Sequence, residues 1–181
     1  MKIKIFVCHT PGRKNVQPKA PYFIHMLGGA ALYDGEIPED LLGDDSGDNI
    51  SKKNKSYCEL TVQYWAWKNV DADYYGFCHY RRYFSFNQPE GQMPDILANV
   101  PFDFFDENVL SQIITEQDDI IKKMKESPIA LTTLFDVRNI NAPTVYKHYK
   151  LTPYLHGKDM DILLEVIHDI SPEFDDAAKN I

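Results

Sequence analysis

The sequence lacks the features that mark membrane, secreted and zinc-binding proteins. No apolar run approaches the roughly 20 residues of a membrane-spanning helix, and the apolar stretch near the N-terminus is too short for a signal peptide. The three cysteines, Cys8, Cys58 and Cys78, include no C-x-x-C pair, so neither a disulfide framework nor a zinc site is indicated. We therefore expect a cytoplasmic protein with free thiols and no transmembrane segment.

Several nucleotide-binding and catalytic signatures are also missing. The sequence contains no G-x-G-x-x-G, Walker loop, G-x-S-x-G or H-E-x-x-H. Their absence argues against dehydrogenases, P-loop NTPases, serine hydrolases and zinc proteases. An acidic stretch at residues 43–51 offers aspartates to a divalent metal, but it lacks the alternating ligands and closing glutamate of an EF-hand loop. An exposed turn and a ligand-binding loop both remain open for it.

Positive charge is in short supply. The chain has 19 lysines and arginines against 27 aspartates and glutamates, which gives a net charge of -8. An acidic surface repels the phosphate backbone that a nucleic-acid binder must neutralise. We expect no nucleic-acid partner, and RNA binding through the arginines and aromatic residues near position 80 is the least favoured alternative.

The pattern of apolar residues indicates strands that alternate with helices. With 181 residues and 44% hydrophobic composition, the chain is expected to form one domain over residues 1–181. Strand and helix alternation predicts an α/β fold with a mostly parallel sheet. The predicted strands are 3–9, 71–80 and 127–137, the first helix is 56–69 with a capping box at Ser56 and Glu59, and later helices lie within 107–126, 143–149, 158–170 and 171–181. Residues 11–53 are predicted to be a long irregular binding segment.

A histidine and two arginines follow the second predicted strand directly. In an open α/β sheet, ligands bind beyond the carboxyl ends of the strands, and His79, Arg81 and Arg82 stand at such an end. The guanidinium group holds phosphate through two parallel hydrogen bonds, so the adjacent pair suits a diphosphate. The alternative is that the arginines pair with carboxylates of the protein and the histidine belongs to the core.

Two segments resemble a known family. The sequence "SGDNISKKNKSYCELTVQYWAWKN" at residues 46–69 and "ADYYGFCHYRRYF" at residues 72–84 are similar to the bacterial domain-of-unknown-function family 4422. The family's pattern is D-N-I-S, N, Y-x-E-L-T, Y-W-A-W-K-N and then G-L-C-H-Y-R-R-Y-F. The similarity is strongest from Asp48 to Phe84, and it continues more weakly through residues 144–149 and 156–174.

The resemblance implies a fold and an activity. The family is grouped with GT-A glycosyltransferases of capsule and exopolysaccharide synthesis, and some members are linked to galactofuranose transfer. We therefore expect a GT-A-like, Rossmann-like sheet flanked by helices. The implied enzyme transfers galactofuranose or another hexose from a nucleotide-sugar donor, such as a UDP-sugar, to a polysaccharide or lipid-linked acceptor at the inner face of the cytoplasmic membrane. The alternative is a non-catalytic module that binds a nucleotide sugar or a glycan.

The resemblance also implies roles for the residues after the second strand. Typical GT-A enzymes carry a metal-binding D-x-D at the place where this chain has His79, Arg81 and Arg82. We expect the arginines to replace the metal, with manganese and magnesium left open, and His79 to supply a hydrogen bond or a proton. Members of the family continue past the point where this chain ends, so we expect the fold to lack a C-terminal portion.

Further site residues follow from the resemblance and from loop position. A carboxylate base is needed by an inverting transferase, and Asp136 is the candidate because it follows the third predicted strand. The residues expected to contact the nucleotide sugar, besides the arginines, are His9, Lys14, Asp48, Asn49 and Asn54.

Overall fold

The structure is a computed structural model that falls into two compact units. The described residues are 1–12, 16–86, 95, 99–103, 106–132 and 136–180. The units are Met1–Thr132 and Thr133–Ile181. Lys14 and residues 133–135 lie outside the described residues.

A parallel sheet of four strands organises the first unit. The strands are β1 (Ile3–His9), β2 (Phe23–Leu27), β3 (Leu42–Gly43) and β4 (Tyr74–His79). Their order is β3-β2-β1-β4, and every neighbouring pair is parallel. The chain thus builds β2 and β3 on one side of β1 and then crosses to add β4 on the other side.

The strand β1 is buried on both faces, which explains its unbroken apolar sequence. One face packs into a cluster with residues from β4 and from the helix α4 (Gln117–Glu126), and the other packs against β2 and the helix α2 (Leu60–Asn69). The first cluster contains Ile3, Ile5, Val7, Tyr22, Cys78, Tyr80, Ile120 and Met124, and the second contains Phe6, Cys8, Met26, Val62 and Ala66.

The predicted helix at residues 56–69 is interrupted. It forms α1 (Asn54–Tyr57) and α2, separated at Cys58, whose φ of 47° is rare for a residue other than glycine. The side chains of Asn54 and Thr61 both donate hydrogen bonds to the Cys58 carbonyl, at 2.8 and 3.1 Å. These bonds stabilise the break, and the expected capping by Ser56 does not form because Ser56 lies inside α1.

Other boundaries also differ from the sequence-based prediction. The irregular segment at residues 11–53 contains β2 and β3, which are strands of only five and two residues. The predicted third strand is absent from the described part of residues 127–137, where Ile129 and Leu131 are exposed. The predicted helix at 107–126 divides into α3 (Glu107–Ile113) and α4, and the Tyr22 hydroxyl donates to the carbonyl of Thr115 between them.

The second unit is helical in its described residues. Its helices are α5 (Val145–Leu151), α6 (Lys158–Ile170) and α7 (Asp175–Lys179), with 3-10 turns at Val137–Ile140 and Pro172–Phe174. The side chains of Lys150 and Asp161 form an ion pair between α5 and α6 at 3.1 Å. The apolar residues of α6 are at most half-buried.

Asp44 ties the end of β3 to the end of β2. Its carboxylate is fully buried and accepts hydrogen bonds from the backbone N–H groups of Gly29 and Ala30, at 3.0 and 2.9 Å. The Ser51 hydroxyl also donates to it, at 2.5 Å. The carboxylate therefore satisfies three donors that would otherwise be buried without an acceptor.

We predict that Asp44→Ala destabilises the fold by about 2 to 4 kcal/mol, because it leaves these donors unsatisfied in the protein interior. Chemical denaturation followed by circular dichroism measures the change. Asp45→Ala is the matched control, since the Asp45 side chain is exposed, and it should change stability by less than about 0.5 kcal/mol. Equal effects of the two substitutions would contradict the assignment.

Candidate functional site

The carboxyl ends of the four strands lie at one edge of the sheet. His9 ends β1 and His79 ends β4, while Gly28 and Asp44 follow β2 and β3. The chain reverses its direction of travel across the sheet at β1, so the crevice between the ends of β1 and β4 is the topological switch point. Open α/β sheets bind their ligands at this place.

A tight turn after β4 presents two arginines at this edge. The Arg82 N–H donates to the His79 carbonyl at 2.9 Å, and the Arg81 N–H donates to Nδ1 of His79 at 3.2 Å. Both arginines are exposed, and neither guanidinium forms an ion pair within the described ranges of the chain. This arrangement favours the ligand-binding interpretation of the pair over charge neutralisation by the protein.

The same turn determines the state of His79. Burial, followed by the charges of Arg81 and Arg82, lowers the pKa of His79, and the charge of Glu59 opposes this shift. The imidazole is therefore neutral at physiological pH. Because Nδ1 accepts the Arg81 N–H, the single ring proton lies on Nε2, and His79 offers a hydrogen-bond donor there.

Tyr80 packs the turn against the end of β1. Its backbone N–H donates to the Cys8 carbonyl at 3.0 Å, and its ring is buried between those of His79 and His9, with centroids 4.2 and 6.1 Å away. The Arg81 guanidinium lies over the Tyr80 ring, 5.1 Å from its centroid. Stacking of this kind orients a guanidinium while its N–H groups stay available.

His9 is 2% exposed, and its Nε2 lies 2.9 Å from Nδ1 of His25. Burial, and to a smaller extent the neighbouring His25, lowers the pKa of His9 to about 4. The structure thus brings His9, His79 and the two arginines, all predicted site residues, to one edge of the sheet.

Asn54 also lies near this edge, but its amide makes internal bonds. A Cβ atom at Gly29, whose φ is +72°, would lie 2.7 Å from Cγ of Asn54, so the glycine allows the close approach of the two segments. The Asn54 amide nitrogen donates to the Cys58 carbonyl and to the Thr61 hydroxyl, at 2.8 and 2.9 Å. Asn54 therefore has a structural role, because these hydrogen bonds stabilise the break between α1 and α2.

Asp48 and Asn49 hold the acidic loop together. The Asn49 amide donates to the carbonyls of residues 45 and 47, at 2.9 and 3.0 Å. The Asp48 carboxylate accepts from the Tyr64 hydroxyl at 3.1 Å, and the Asp48 backbone is paired with the Asn69 side chain. Since Asn69 ends α2 just before the chain enters β4, these contacts place Asp48 toward the opposite edge of the sheet.

Asp136 belongs to the second unit and is paired with Arg138. Its carboxylate accepts from Nε and Nη2 of Arg138, at 2.8 and 2.5 Å, and also from the Arg138 backbone N–H. These hydrogen bonds lower the pKa of Asp136 to about 2. A carboxylate in this state is a weak proton acceptor.

Sequence patterns missed some residues at the edge. His25 and the Gly28–Gly29 pair lie on or directly after β2, which the sequence analysis did not recognise as a strand. The glycine pair after the short apolar run "FIHML" is the signal that could have located it. Glu59 was noticed only as a capping residue, yet its charge acts on His79.

The described residues contain neither a cluster of potential metal ligands nor a membrane-spanning helix. In the part of the chain that the structure describes, no three histidine, cysteine, aspartate or glutamate side chains are grouped so that they could hold a metal ion. No helix of that part is both long and apolar enough to cross a bilayer.

Comparison with known proteins gives a family and a similar structure. The model of a family described as a domain of unknown function, DUF4422, matches residues 4–181. The apo structure of WbbM, a bifunctional glycosyltransferase, is similar over 98% of this chain, with 31% sequence identity and a TM-score of 0.85. No curated protein matches. This chain covers 30% of the WbbM chain, and the similarity confirms the predicted GT-A-like α/β fold.

The buried His9 makes stability depend on pH. Its pKa in the folded protein, about 4, is below the ordinary value of 6.5, so the unfolded chain binds more protons between these pH values. The contribution of neutral His9 to the free energy of unfolding is therefore fully present above pH 6.5, and it is lost as the pH is lowered toward 4. We predict a loss of about 2 kcal/mol at pH 5 from this residue.

Urea unfolding at pH 7 and pH 5 measures this loss. His9→Gln should reduce the dependence and leave the part that comes from His25 and His79, whose pKa values are also lowered. His148→Gln, at an exposed position of the second unit, should leave it unchanged. A wild-type protein equally stable at both pH values would show that the low pKa is wrong.

Proposed function

Because the chain belongs to the DUF4422 family, we propose that it is the nucleotide-sugar-binding domain of a glycosyltransferase. The turn from His79 to Arg82 carries the proposal, because it places two exposed guanidinium groups and a neutral N–H donor at the switch point of the sheet. The fold shared with WbbM, a bifunctional glycosyltransferase, supports transferase chemistry.

The proposed ligand of the arginines is the diphosphate of the donor. In glycosyl transfer, the bond between the anomeric carbon and a phosphate oxygen breaks, and negative charge develops on the departing nucleoside diphosphate. Arg81 and Arg82 carry permanent positive charge and fork-shaped donors that match phosphate oxygens. They would stabilise the leaving group in the role that a metal ion plays in D-x-D enzymes. No manganese or magnesium is required by this proposal.

His79 adds a directed hydrogen bond. Its Nε2–H is the free donor of a ring whose other nitrogen is occupied by the Arg81 N–H. Donation to a diphosphate oxygen would help to hold the donor in line for attack. As the hydroxyl oxygen of the acceptor bonds to the anomeric carbon, its proton must pass to a base, for which Asp136 is the proposed residue.

The remaining predicted contacts differ in their support. His9 lies at the switch point beside Tyr80, so a role in donor binding is consistent with its position. Asp48, Asn49 and Asn54 are proposed donor contacts whose hydrogen bonds are used within the protein. Lys14 remains a proposed contact outside the described residues.

The proposed donor is a UDP-sugar, and the transferred residue is galactofuranose or another hexose. The proposed acceptor is a growing capsular or exopolysaccharide chain or a lipid-linked sugar, reached at the inner face of the cytoplasmic membrane. Family resemblance supports these choices.

The pairing of Asp136 with Arg138 favours one alternative, a module that binds the nucleotide sugar without transferring it, because a carboxylate with a pKa of about 2 is a poor base.

We predict that Arg81→Ala and Arg82→Ala each weaken UDP binding by about tenfold to 100-fold, since each removes charge-assisted hydrogen bonds to phosphate. Calorimetry with UDP and with uridine separates the phosphate contribution, because uridine binding should not change. Lys2→Ala is the control: it also removes one positive charge, but Lys2 pairs with Asp71 at the opposite edge of the sheet.

The same titrations are repeated with EDTA and with manganese. The proposal expects equal UDP affinity in both conditions for the wild-type protein. UDP binding that requires manganese would refute the proposal that the arginines replace the metal. Unchanged UDP affinity in both arginine variants would show that the arginines do not bind the diphosphate.

The proposed role of Asp136 is tested by measuring sugar transfer and UDP binding. If it is the base, Asp136→Asn should lower kcat by about 100-fold or more while the Kd for UDP stays the same. The Arg138→Ala variant should raise the pKa of Asp136, because it removes the side-chain hydrogen bonds that lower it, and should therefore move the acidic limb of the pH profile to higher pH. Transfer at the wild-type rate by Asp136→Asn would assign the base elsewhere.

A further inference from the structure

A chain of hydrogen bonds connects the end of β1 to the segment that precedes β2. Nε2 of His9 lies 2.9 Å from Nδ1 of His25, and Nε2 of His25 lies 3.0 Å from the Pro18 carbonyl oxygen. His9 and Pro18 are buried, and His25 is half-buried. Neither histidine is in an ion pair with a carboxylate of the described residues.

The Pro18 carbonyl determines the direction of this chain. A carbonyl oxygen only accepts, so Nε2 of His25 must carry a proton. Burial is the main reason that the pKa of His25 is lowered, so the ring is neutral and its Nδ1 has no proton. That nitrogen can only accept, and Nε2 of His9 must therefore donate to it. His9 is also neutral, which leaves its Nδ1 as an unprotonated acceptor.

The charged and titratable groups around His9 and His25 do not change the neutral state of the two rings. Asp40 raises the pKa of both histidines, and His79 lowers that of His9, but burial is the largest influence on each. The Asp40 carboxylate is also engaged by the Gln17 amide at 2.9 Å. The two rings therefore stay neutral over the physiological pH range.

Nδ1 of His9 is the one ring nitrogen of the pair without a hydrogen-bond partner among the residues that the structure describes. This nitrogen is not fully enclosed, although the His9 residue as a whole is buried, so its lone pair is open to solvent or to a ligand. The His9 ring stacks on Tyr80, which in turn lies under Arg81, so this acceptor belongs to the same crevice as the arginine turn.

We propose that His25 is a positioning residue that holds His9 in the Nε2–H tautomer, so that His9 Nδ1 accepts a hydrogen bond from an O–H or N–H group of the bound nucleotide sugar. This assignment rests on the proposed function for the identity of the ligand. The tautomer itself follows from the Pro18 carbonyl, the two distances and the neutral state of both buried rings.

Two substitutions of His25 separate this role from simple packing. In His25→Asn, the amide oxygen lies close to the place of Nδ1 and can still accept from His9. In His25→Gln, the amide nitrogen reaches the place of Nε2 and can still donate to Pro18, but nothing accepts from His9. His25→Asn removes more of the side chain than His25→Gln does, so a packing role alone would make His25→Asn the more damaging variant. Thermal unfolding checks that both are folded.

The experiment uses the 181-residue chain labelled with ¹⁵N at histidine. Long-range ¹H–¹⁵N correlation spectra at pH 7 distinguish the two neutral tautomers. We expect Nε2–H signals for His9 and His25 in the wild type and for His9 in His25→Asn, and a mixture of tautomers for His9 in His25→Gln. The Kd for UDP, measured by calorimetry, should rise about three- to tenfold in His25→Gln and stay within twofold in His25→Asn.

The outcomes also separate this proposal from the proposed function. A wild-type His9 in the Nδ1–H tautomer, or an unchanged His9 tautomer in His25→Gln, overturns the positioning role even if UDP binds. A wild type that does not bind UDP refutes the proposed ligand, and the spectra alone then decide the role of His25. If His25→Gln does not fold, the wild-type and His25→Asn spectra decide it.

Discussion

The pairing of β1 with parallel strands on both sides is the constraint from which the site follows. Parallel strands end at the same edge, so His9 and His79 become neighbours although 70 positions separate them in the sequence. The burial of β1 on both faces supplies the hydrophobic stabilisation that holds this arrangement. The reversal of strand order at β1 then opens the crevice in which the histidines and arginines meet.

Charge and hydrogen bonding at the crevice are complementary to an anion. The protein, although acidic overall, leaves two guanidinium groups exposed at this edge and keeps the adjacent histidine neutral. Backbone contacts within the turn orient His79, and Tyr80 links the turn to β1. The phosphate-binding proposal and the tautomer proposal therefore concern two sides of one crevice, joined by a stack of aromatic rings.

Local backbone geometry contributes a second influence on the site. The positive φ of Cys58 ends α1 and begins α2 at the residue after Glu59, whose charge then acts on His79. Strained residues of this kind persist where the surroundings hold them, as Asn54 and Thr61 do here. Asn54 and Thr61, which belong to the family pattern, thus have a structural role at the helix break. The contact of Asn54 with the donor remains a proposal.

The sequence by itself determined the α/β class, β1, the turn after β4 and the family, because a doubly buried strand and a dense motif are local signals. It also placed His79, Arg81 and Arg82 at a strand end. Only the tertiary structure decided that β2 and β3 form, that residues 127–132 do not pair, and that His25 meets His9. These outcomes depend on contacts between distant segments, and a five-residue strand between proline and glycine carries too little periodicity to reveal its partners.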